Sequence, residues 1–225
     1  MHLEAVAKGQ IRNLLISVFP GSMKSLLTAV FFPAWLWTTR PQSRFMFASY
    51  AASLSVRDSV RCRRVIESAW YQRHWGMRLG ADNVGVENNR FSLMDDQNQK
   101  VRFDNSAFGF RIATSVGGVG TGERAGYICV DDAHNVKERE SEAKRAGVID
   151  WFDIAYANRL CDYKKDCRIV IGQRVHEADL IGHLQESGEW QQRPCDGLGR
   201  RRPSNSPANP LRNIELLVGS GIVNE

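Results

Sequence analysis

Four short apolar segments, each ending at a turn or at charged residues, constrain the fold of this 225-residue chain more than any other feature. A continuous apolar run of this length is typical of a strand that is buried on both faces. Segments with helical periodicity lie between the runs, and strands that alternate with helices indicate a mostly parallel sheet covered on both sides. The predicted strands span Arg12–Phe19, Arg44–Ser49, Tyr127–Asp132 and Cys167–Arg174. The sequence therefore predicts an α/β fold.

The segments between these strands predict helices and one antiparallel region. Apolar periodicity and flanking turn residues place the helices over Lys24–Trp37, Ala51–Ser68, Lys137–Ala146, Ile149–Leu160 and Glu177–Gly188. Pro33 lacks an N–H group and is therefore expected to kink the first of these helices. Polar turns between short apolar runs predict a small antiparallel insertion over roughly residues 90–115, and the glycine-rich segment Val116–Gly126 predicts a mobile loop.

Composition limits the classes of protein to which the chain can belong. Its net charge of +5 and isoelectric point near 9.1 are compatible with nucleic-acid binding but do not establish it. The most apolar run, Leu26–Trp37, is too short to span a bilayer, so no membrane association is expected. Five cysteines without CxxC spacing argue against a zinc site or a disulfide framework. The length suits one domain, predicted over residues 1–190, and the residues 191–225, rich in Pro, Arg and Ser, are predicted to be a disordered tail.

The first predicted strand is followed by the segment PGSMKS, Pro20–Ser25, which partly matches a phosphate-binding loop. The pattern G-x-x-x-x-G-K-[ST], aligned on Lys24 and Ser25, has Val18 and Met23 where the glycines belong. The context of a buried strand, a tight turn, Lys-Ser and a helix is nevertheless the one that the chemistry requires, because phosphate oxygens bind backbone N–H groups at a helix start. The alternative is an ordinary strand–turn–helix with an exposed lysine.

A second motif, YICVDD, places two carboxylates at the end of a buried strand. A nucleoside triphosphatase of the phosphate-loop class needs one acid there to hold Mg²⁺ through water, on a strand expected beside the phosphate-loop strand. It needs another carboxylate to orient or deprotonate the attacking water. Asp131 and Asp132 fit these two roles, although a solvated pair of aspartates that merely ends a strand is also common. The two motifs in this order are more specific than either alone.

A series of sequence blocks resembles the ATPase domain of phage terminase large subunits, the motors that package DNA into procapsids. The blocks occur in the order found in that family and cover about Leu3–Trp190. They are FPGSMKSLLTAVFFPAWLW, RFMFASYAASLSVRDSVRCRRVIES, RIATSVGGVGTGE, CVDDAHNVKERESEAKR and IGQRVHEADLIGHL. In the branch that this chain resembles, a methionine before the phosphate-loop lysine and paired aspartates are both usual.

The resemblance implies a P-loop NTPase fold that binds ATP and Mg²⁺ and hydrolyses ATP. It assigns Lys24 to the outer phosphates, Ser25 and Asp131 to the magnesium ion, and Asp132 to the attacking water. The residues implied to bind the phosphates are Gly21, Ser22, Met23, Lys24 and Ser25.

The resemblance also implies groups that couple hydrolysis to DNA movement. Gln173 and Arg174, at the end of the strand next to that of Asp131, correspond to the coupling motif. Arg124, in the glycine-rich loop, is a candidate arginine finger for a neighbouring subunit. The arginines of the second predicted helix can contact DNA phosphates or can form an ordinary solvated face; they are Arg57, Arg61, Arg63 and Arg64.

The partners implied by the resemblance are double-stranded viral DNA, a terminase small subunit, a portal and further copies of the chain in a ring, in the cytoplasm of a bacterial host. Family members also have a C-terminal nuclease domain, and this chain ends before it, so no nuclease activity is expected. Little chain precedes the first strand to contact adenine. Two alternatives therefore stay open: an inactive prophage remnant that binds nucleotide weakly, and a helicase or repair ATPase with the same strand-end chemistry.

Overall fold

The computed structural model describes residues 2–76, 91–118 and 122–194 of the chain. Strands and helices alternate along most of it, and two short segments, named π1 and π2, are π-helical. In chain order the elements are α1 (His2–Ala7), β1 (Asn13–Ser17), π1 (Leu26–Phe31), α2 (Phe32–Trp37), β2 (Arg44–Ser49), α3 (Ala52–Glu67), α4 (Ala69–Trp75), β3 (Leu93–Asn98), β4 (Arg102–Asn105), β5 (Phe110–Ser115), β6 (Tyr127–Asp131), α5 (Glu142–Asp150), π2 (Trp151–Tyr156), β7 (Cys167–Gly172), α6 (Leu180–Glu186) and β8 (Gln191–Pro194).

The strands form one sheet in the order β3-β4-β5-β2-β6-β7-β1-β8. The pairs from β5 to β8 are all parallel, and only β3 and β4 are antiparallel to their neighbours. The predicted α/β fold with a mostly parallel sheet is therefore confirmed, together with the antiparallel region before Ser115. That region extends the edge of the same sheet, because β5 pairs in parallel with β2.

The sheet order corrects one prediction about the two motif strands. The strand of Asp131, β6, was expected beside β1, but β7 lies between them and pairs with both. Parallel strands are joined by crossover connections of a dozen or more residues, so two strands that are neighbours in the sheet do not have to follow one another in the chain. The strand that ends at Gly172 lies next to β6, as predicted.

The predicted boundaries were wrong for the last three helices, which were expected over Lys137–Ala146, Ile149–Leu160 and Glu177–Gly188. The predicted break near Gly147 does not occur: α5 continues through it to Asp150 and is followed directly by π2. The chain breaks earlier instead, where the Ser141 hydroxyl accepts a hydrogen bond from the Lys144 N–H and so caps α5. The last helix, α6, starts only at Leu180 because Asp179 caps it.

Two predictions fall partly outside the described residues. Residues 191–194, assigned to the tail, form β8 and pair with β1, which corrects the predicted start of the tail; residues 195–225 lie outside the described part. Residues 119–121 of the predicted glycine-rich loop lie outside it as well, while 116–118 and 122–124 contain no helix or strand. No helix of the described part is long and apolar enough to cross a membrane.

Two apolar cores cover the two faces of the sheet, because successive strand residues point to opposite sides. Along β2, Phe45 and Phe47 join the core beneath π1, α2 and α3, whereas Met46 and Ala48 join the core beneath π2 and α6. The same alternation places Cys129 in the first core and Ile128 and Val130 in the second. Asp131, one residue beyond Val130, is therefore directed to the face on which π1 and α3 lie.

Pro33 explains part of the unusual geometry of the helix after β1. It stands in the first turn of α2 and lacks the N–H that a helix residue donates to a carbonyl one turn earlier. The Ala29 carbonyl, four residues before Pro33, accepts a hydrogen bond of 3.0 Å from Nη2 of Arg111, a fully buried residue of β5 whose guanidinium also lies over the Phe47 ring. The winding changes from π- to α-helical between residues 31 and 32, near the position at which the sequence predicted a kink.

Tyr156 supplies a test of how π2 fixes the sheet. Its buried hydroxyl lies 3.0 Å from the carbonyl oxygens of Met46 and Cys129, on neighbouring strands β2 and β6. The substitution Tyr156→Phe is expected to lower the free energy of unfolding by about 1–2 kcal/mol, because it removes a buried hydrogen bond. Chemical denaturation measures this change. Tyr163→Phe, which removes an exposed hydroxyl, serves as the control and is expected to change stability by less than about 0.5 kcal/mol.

Candidate functional site

The carboxyl ends of β1, β6 and β7 bring the predicted site residues together at one edge of the sheet. Lys24 follows β1 after a short turn, Asp132 follows β6, and Gln173 follows β7. Nζ of Lys24 lies 2.5 Å from Oδ1 of Asp132, although 108 positions separate the two residues in the chain. The backbone N–H of Gln173 donates to the same carboxylate oxygen at 3.1 Å. Three strand ends are thereby joined through Asp132.

The turn after β1 contains two residues with a left-handed backbone conformation. Gly21 and Met23 both have positive φ angles, of 83° and 55°, on either side of Ser22. Helical winding starts at Lys24, and the Leu27 N–H donates to the Met23 carbonyl at 3.0 Å. Alternation of left- and right-handed residues before a helix directs successive N–H groups toward one point, where an anion can bind. The absence of glycine at position 23 thus does not prevent a positive φ there, since Met23 adopts one.

Asp131 is the more deeply buried of the two carboxylates. Only 6% of its surface is exposed, and its Oδ1 accepts no hydrogen bond from any described residue. Burial raises the pKa of this carboxyl to about 6; a hydrogen bond from the Ser25 side chain acts in the opposite direction, and the charge of Asp132 raises the pKa further. An unpartnered, buried carboxylate oxygen beside a serine hydroxyl is a set of donors that suits Mg²⁺, which prefers oxygen ligands.

Asp132 adopts a left-handed backbone conformation, with a φ of 49° directly after the strand. Aspartate tolerates this region better than most residues, and the resulting bend turns the chain away from β6. Its side chain is about one-third exposed, so solvent can reach the carboxylate. The two consecutive aspartates therefore have different environments: Asp131 is enclosed, whereas Asp132 is partly exposed and contacts Lys24 in the turn after β1.

The structure does not bring Arg174 or Arg124 to this group. Arg174 donates to the Gln185 side chain and to the Glu177 carbonyl, so it fixes the segment before α6. Arg124 precedes β6 and donates to the Leu160 carbonyl, at the opposite edge of the sheet from Asp132. Seven residues separate Arg124 from Asp132, five of them in β6, and a largely extended path of that length measures roughly 25 Å. Any role of Arg124 at a nucleotide would therefore require a neighbouring subunit.

The arginines of α3 are mostly paired with acids of the same helix. Arg57 and Arg61 both bind the buried carboxylate of Asp58, at 2.8–2.9 Å and 3.2 Å. Arg63 lies 3.7 Å from Glu67. Sequence reasoning assigned these arginines to DNA or to solvent and missed the Asp58 cluster. The adjacent Arg-Asp pair in the first turns of the helix after β2 was the available signal.

The chain matches no model of a protein family and no curated protein sequence. The terminase resemblance remains a prediction from the motifs and from their order along the chain.

The left-handed conformation of Met23 gives a direct test of the loop. Met23→Gly is expected to raise the free energy of unfolding by up to about 1 kcal/mol, because glycine has no steric cost at positive φ and the exposed methionine side chain contributes little packing. Met23→Val, with a β-branched side chain, is expected to lower it by about 1 kcal/mol or more. Equal stability of the two variants in chemical denaturation would contradict this loop conformation.

The raised pKa of Asp131 predicts a pH-dependent cost of burial. Below the unfolded-state value of 3.8 the carboxyl is protonated in both states; between 3.8 and about 6 the unfolded chain releases its proton first, so rising pH favours unfolding. Above about pH 6 the cost is constant. Asp131→Asn is therefore expected to be more stable than the wild type at pH 7.5, by at most about 3 kcal/mol, and the difference should shrink toward pH 4.5.

Thermal denaturation at several pH values, with the magnesium ion removed by a chelator, measures this difference. The resemblance assigns Asp131 to the magnesium ion, so added Mg²⁺ is expected to stabilise the wild type and to leave Asp131→Asn unchanged. A difference between the two proteins that does not vary with pH would contradict the assignment of a raised pKa to this residue.

Proposed function

We propose that this chain is a P-loop ATPase domain of the kind found in phage terminase large subunits, where ATP hydrolysis drives the packaging of viral DNA. One observation supports the ATPase most strongly. Lys24, at the helix start after one buried strand, meets Asp132, at the end of another, beside the buried and unpartnered oxygen of Asp131. A cation for phosphate, a carboxylate for metal and a carboxylate for water are the three groups that the reaction needs.

Each residue of the site has a separate role in the proposed hydrolysis of ATP. The N–H groups of Gly21–Ser25 bind phosphate oxygens, and Lys24 neutralises charge on the outer phosphates. Ser25 and Asp131 are the groups that would hold Mg²⁺, which supplies positive charge to the phosphates when it is bound. Asp132 orients a water for attack on the terminal phosphorus and receives its proton as the bond to the leaving phosphate oxygen breaks. The products are ADP, inorganic phosphate and a proton.

The ion pair between Lys24 and Asp132 joins two groups that the proposed reaction uses separately. While Lys24 binds Asp132, neither the cation nor the carboxylate is available for its role in hydrolysis. Phosphate oxygens compete with Asp132 for the ammonium group, so nucleotide binding separates the pair and frees the carboxylate for water. Contact between Gln173 and Asp132 supports the assignment of the β7 end to coupling, because separation of the ion pair changes what this segment contacts.

The terminase assignment depends on the sequence blocks. It also includes the partners, the assembly and the location that the resemblance implies. It proposes double-stranded DNA, a small subunit and a portal as partners, a ring of copies as the working assembly, and the bacterial host's cytoplasm as the location. Of the alternatives, the inactive remnant differs by having no turnover, and a helicase or repair ATPase differs by having no stimulation from procapsids.

Nucleotide binding tests the proposal at Lys24. Lys24→Ala is expected to weaken Mg²⁺–ATP binding at least about 100-fold in titration calorimetry, because the main cation for the phosphates is lost. The exposed Lys137→Ala is the control for loss of one positive charge, and it should bind ATP as the wild type does. Equal affinity in all three proteins would overturn the phosphate-loop assignment.

Turnover tests the proposal at Asp132. Asp132→Asn is expected to reduce ATP hydrolysis at least about 100-fold, because the water loses its proton acceptor. Its affinity for ATP should be equal to that of the wild type or several-fold higher, since Lys24 is no longer paired with a charged partner. Asp150→Asn, on the exposed end of α5, is the matched control. Binding without any turnover by the wild type would favour the inactive remnant.

A further inference from the structure

Helix α3 starts next to the proposed site and packs beside the phosphate-loop helix. Strand β2 pairs with β6 and ends at the same edge of the sheet, where the Tyr50 N–H donates to the Asp132 carbonyl at 3.0 Å. Two residues later α3 begins, and it packs against π1, β2 and β5. The first turns of α3 therefore lie on the face toward which Asp131 is directed.

Within these turns, Asp58 fixes the guanidinium of Arg57. Asp58 is 2% exposed and accepts hydrogen bonds from Nε and Nη2 of Arg57, at 2.9 and 2.8 Å. Two parallel bonds hold the planar group in one orientation. Nη1 of Arg57 makes no hydrogen bond to any residue that the structure describes, and 44% of the side chain is exposed. Arg57 is thus a preoriented cation with one donor group that has no partner among the described residues.

The charges of the site act on this guanidinium. The hydrogen bond to Asp58 is the main reason that the pKa of Arg57 is raised, and the charges of Asp131 and Asp132 raise it further. The charge of Asp58 likewise contributes to the raised pKa of Asp131. The geometry agrees with this, because α3 starts two residues after the Tyr50 N–H that binds the Asp132 carbonyl and packs against π1, the helical segment that follows Lys24. Lys24 itself contacts Asp132 from the turn after β1.

We propose that Arg57 binds the terminal phosphate of the nucleoside triphosphate, as a second cation opposite Lys24; this proposal rests on the proposed ATPase function. The inner phosphates lie at the loop after β1, so the terminal phosphate extends along the sheet edge toward Asp131 and Asp132. There it meets Lys24 from one side and Arg57 from the other. A guanidinium held by Asp58 needs no reorganisation when charge accumulates on that phosphate during hydrolysis.

The same cluster supplies a matched control. Arg61 lies one turn further along α3, binds the same Asp58 carboxylate through Nη1 at 3.2 Å and is about half exposed. Arg57→Gln and Arg61→Gln each remove one positive charge and one partner of Asp58. They differ in their position relative to Asp131 and Asp132.

The experiment compares the affinities of each variant for Mg²⁺–ATP and Mg²⁺–ADP, together with its turnover. Arg57→Gln is expected to weaken ATP binding about tenfold and to leave ADP binding within about twofold, because only ATP has the phosphate that Arg57 contacts. Its turnover should fall about 100-fold. Arg61→Gln is expected to change each value less than about twofold. Arg57→Lys, which keeps a cation next to Asp58, should regain part of the preference for ATP.

Thermal denaturation of each variant separates this effect from misfolding. If Arg57→Gln loses its fold, the comparison uses Arg57→Lys, whose expected result is a reduced preference for ATP over ADP at wild-type stability. Equal losses for ATP and ADP, or equal effects of the Arg57 and Arg61 variants, would overturn the proposal and leave Arg57 as a partner of Asp58 only. Failure of the wild type itself to bind ATP would instead overturn the ATPase proposal, and the role of Arg57 with it.

Discussion

The parallel pairing of β1, β7 and β6 is the constraint on which the candidate site depends. Parallel strands end at the same edge of a sheet, so residues that are far apart in the chain meet there without any specific contact to bring them together. Lys24, Asp132 and Gln173 each follow one of these strands, and the carboxylate of Asp132 binds both of the others. The apolar cores on the two faces fix the strands, and the strands in turn fix the distances between the polar groups at their ends.

Local sequence patterns were sufficient to predict the buried strands and the polar residues at their ends. The four apolar runs predicted β1, β2, β6 and β7, and the residue types after them predicted which strand ends would be polar. Strand order was less accessible, because β7 is inserted between β1 and β6 through pairings that no local pattern encodes. The cap at Ser141 and the pairing of Arg57 with Asp58 were also missed, since both depend on geometry that a one-dimensional pattern leaves open.

Burial of Asp131 has opposite consequences for folding and for the proposed function. The carboxyl has a raised pKa and an oxygen without a hydrogen-bond donor, so the ionised form destabilises the folded chain. Under the proposed function, the same free oxygen accepts a hydrogen bond from a water bound to the magnesium ion. An apolar side chain at this position would avoid that cost, so the carboxylate does not serve stability, which agrees with the role proposed for it at the magnesium ion.

Phosphate binding by a loop depends on backbone dihedral angles, so the failure of PGSMKS to match the usual glycine pattern does not by itself argue against the proposed function. The glycines of that pattern matter where φ is positive or where a Cβ atom would meet the ligand. Here Gly21 supplies one positive φ, and Met23 adopts another with its side chain 65% exposed, directed away from the packed interior. An unbranched side chain allows this at a cost of about 1 kcal/mol, whereas a β-branched one would not. The absence of β-branched residues at positions with positive φ is therefore a better criterion for such a loop than the presence of glycine at those positions.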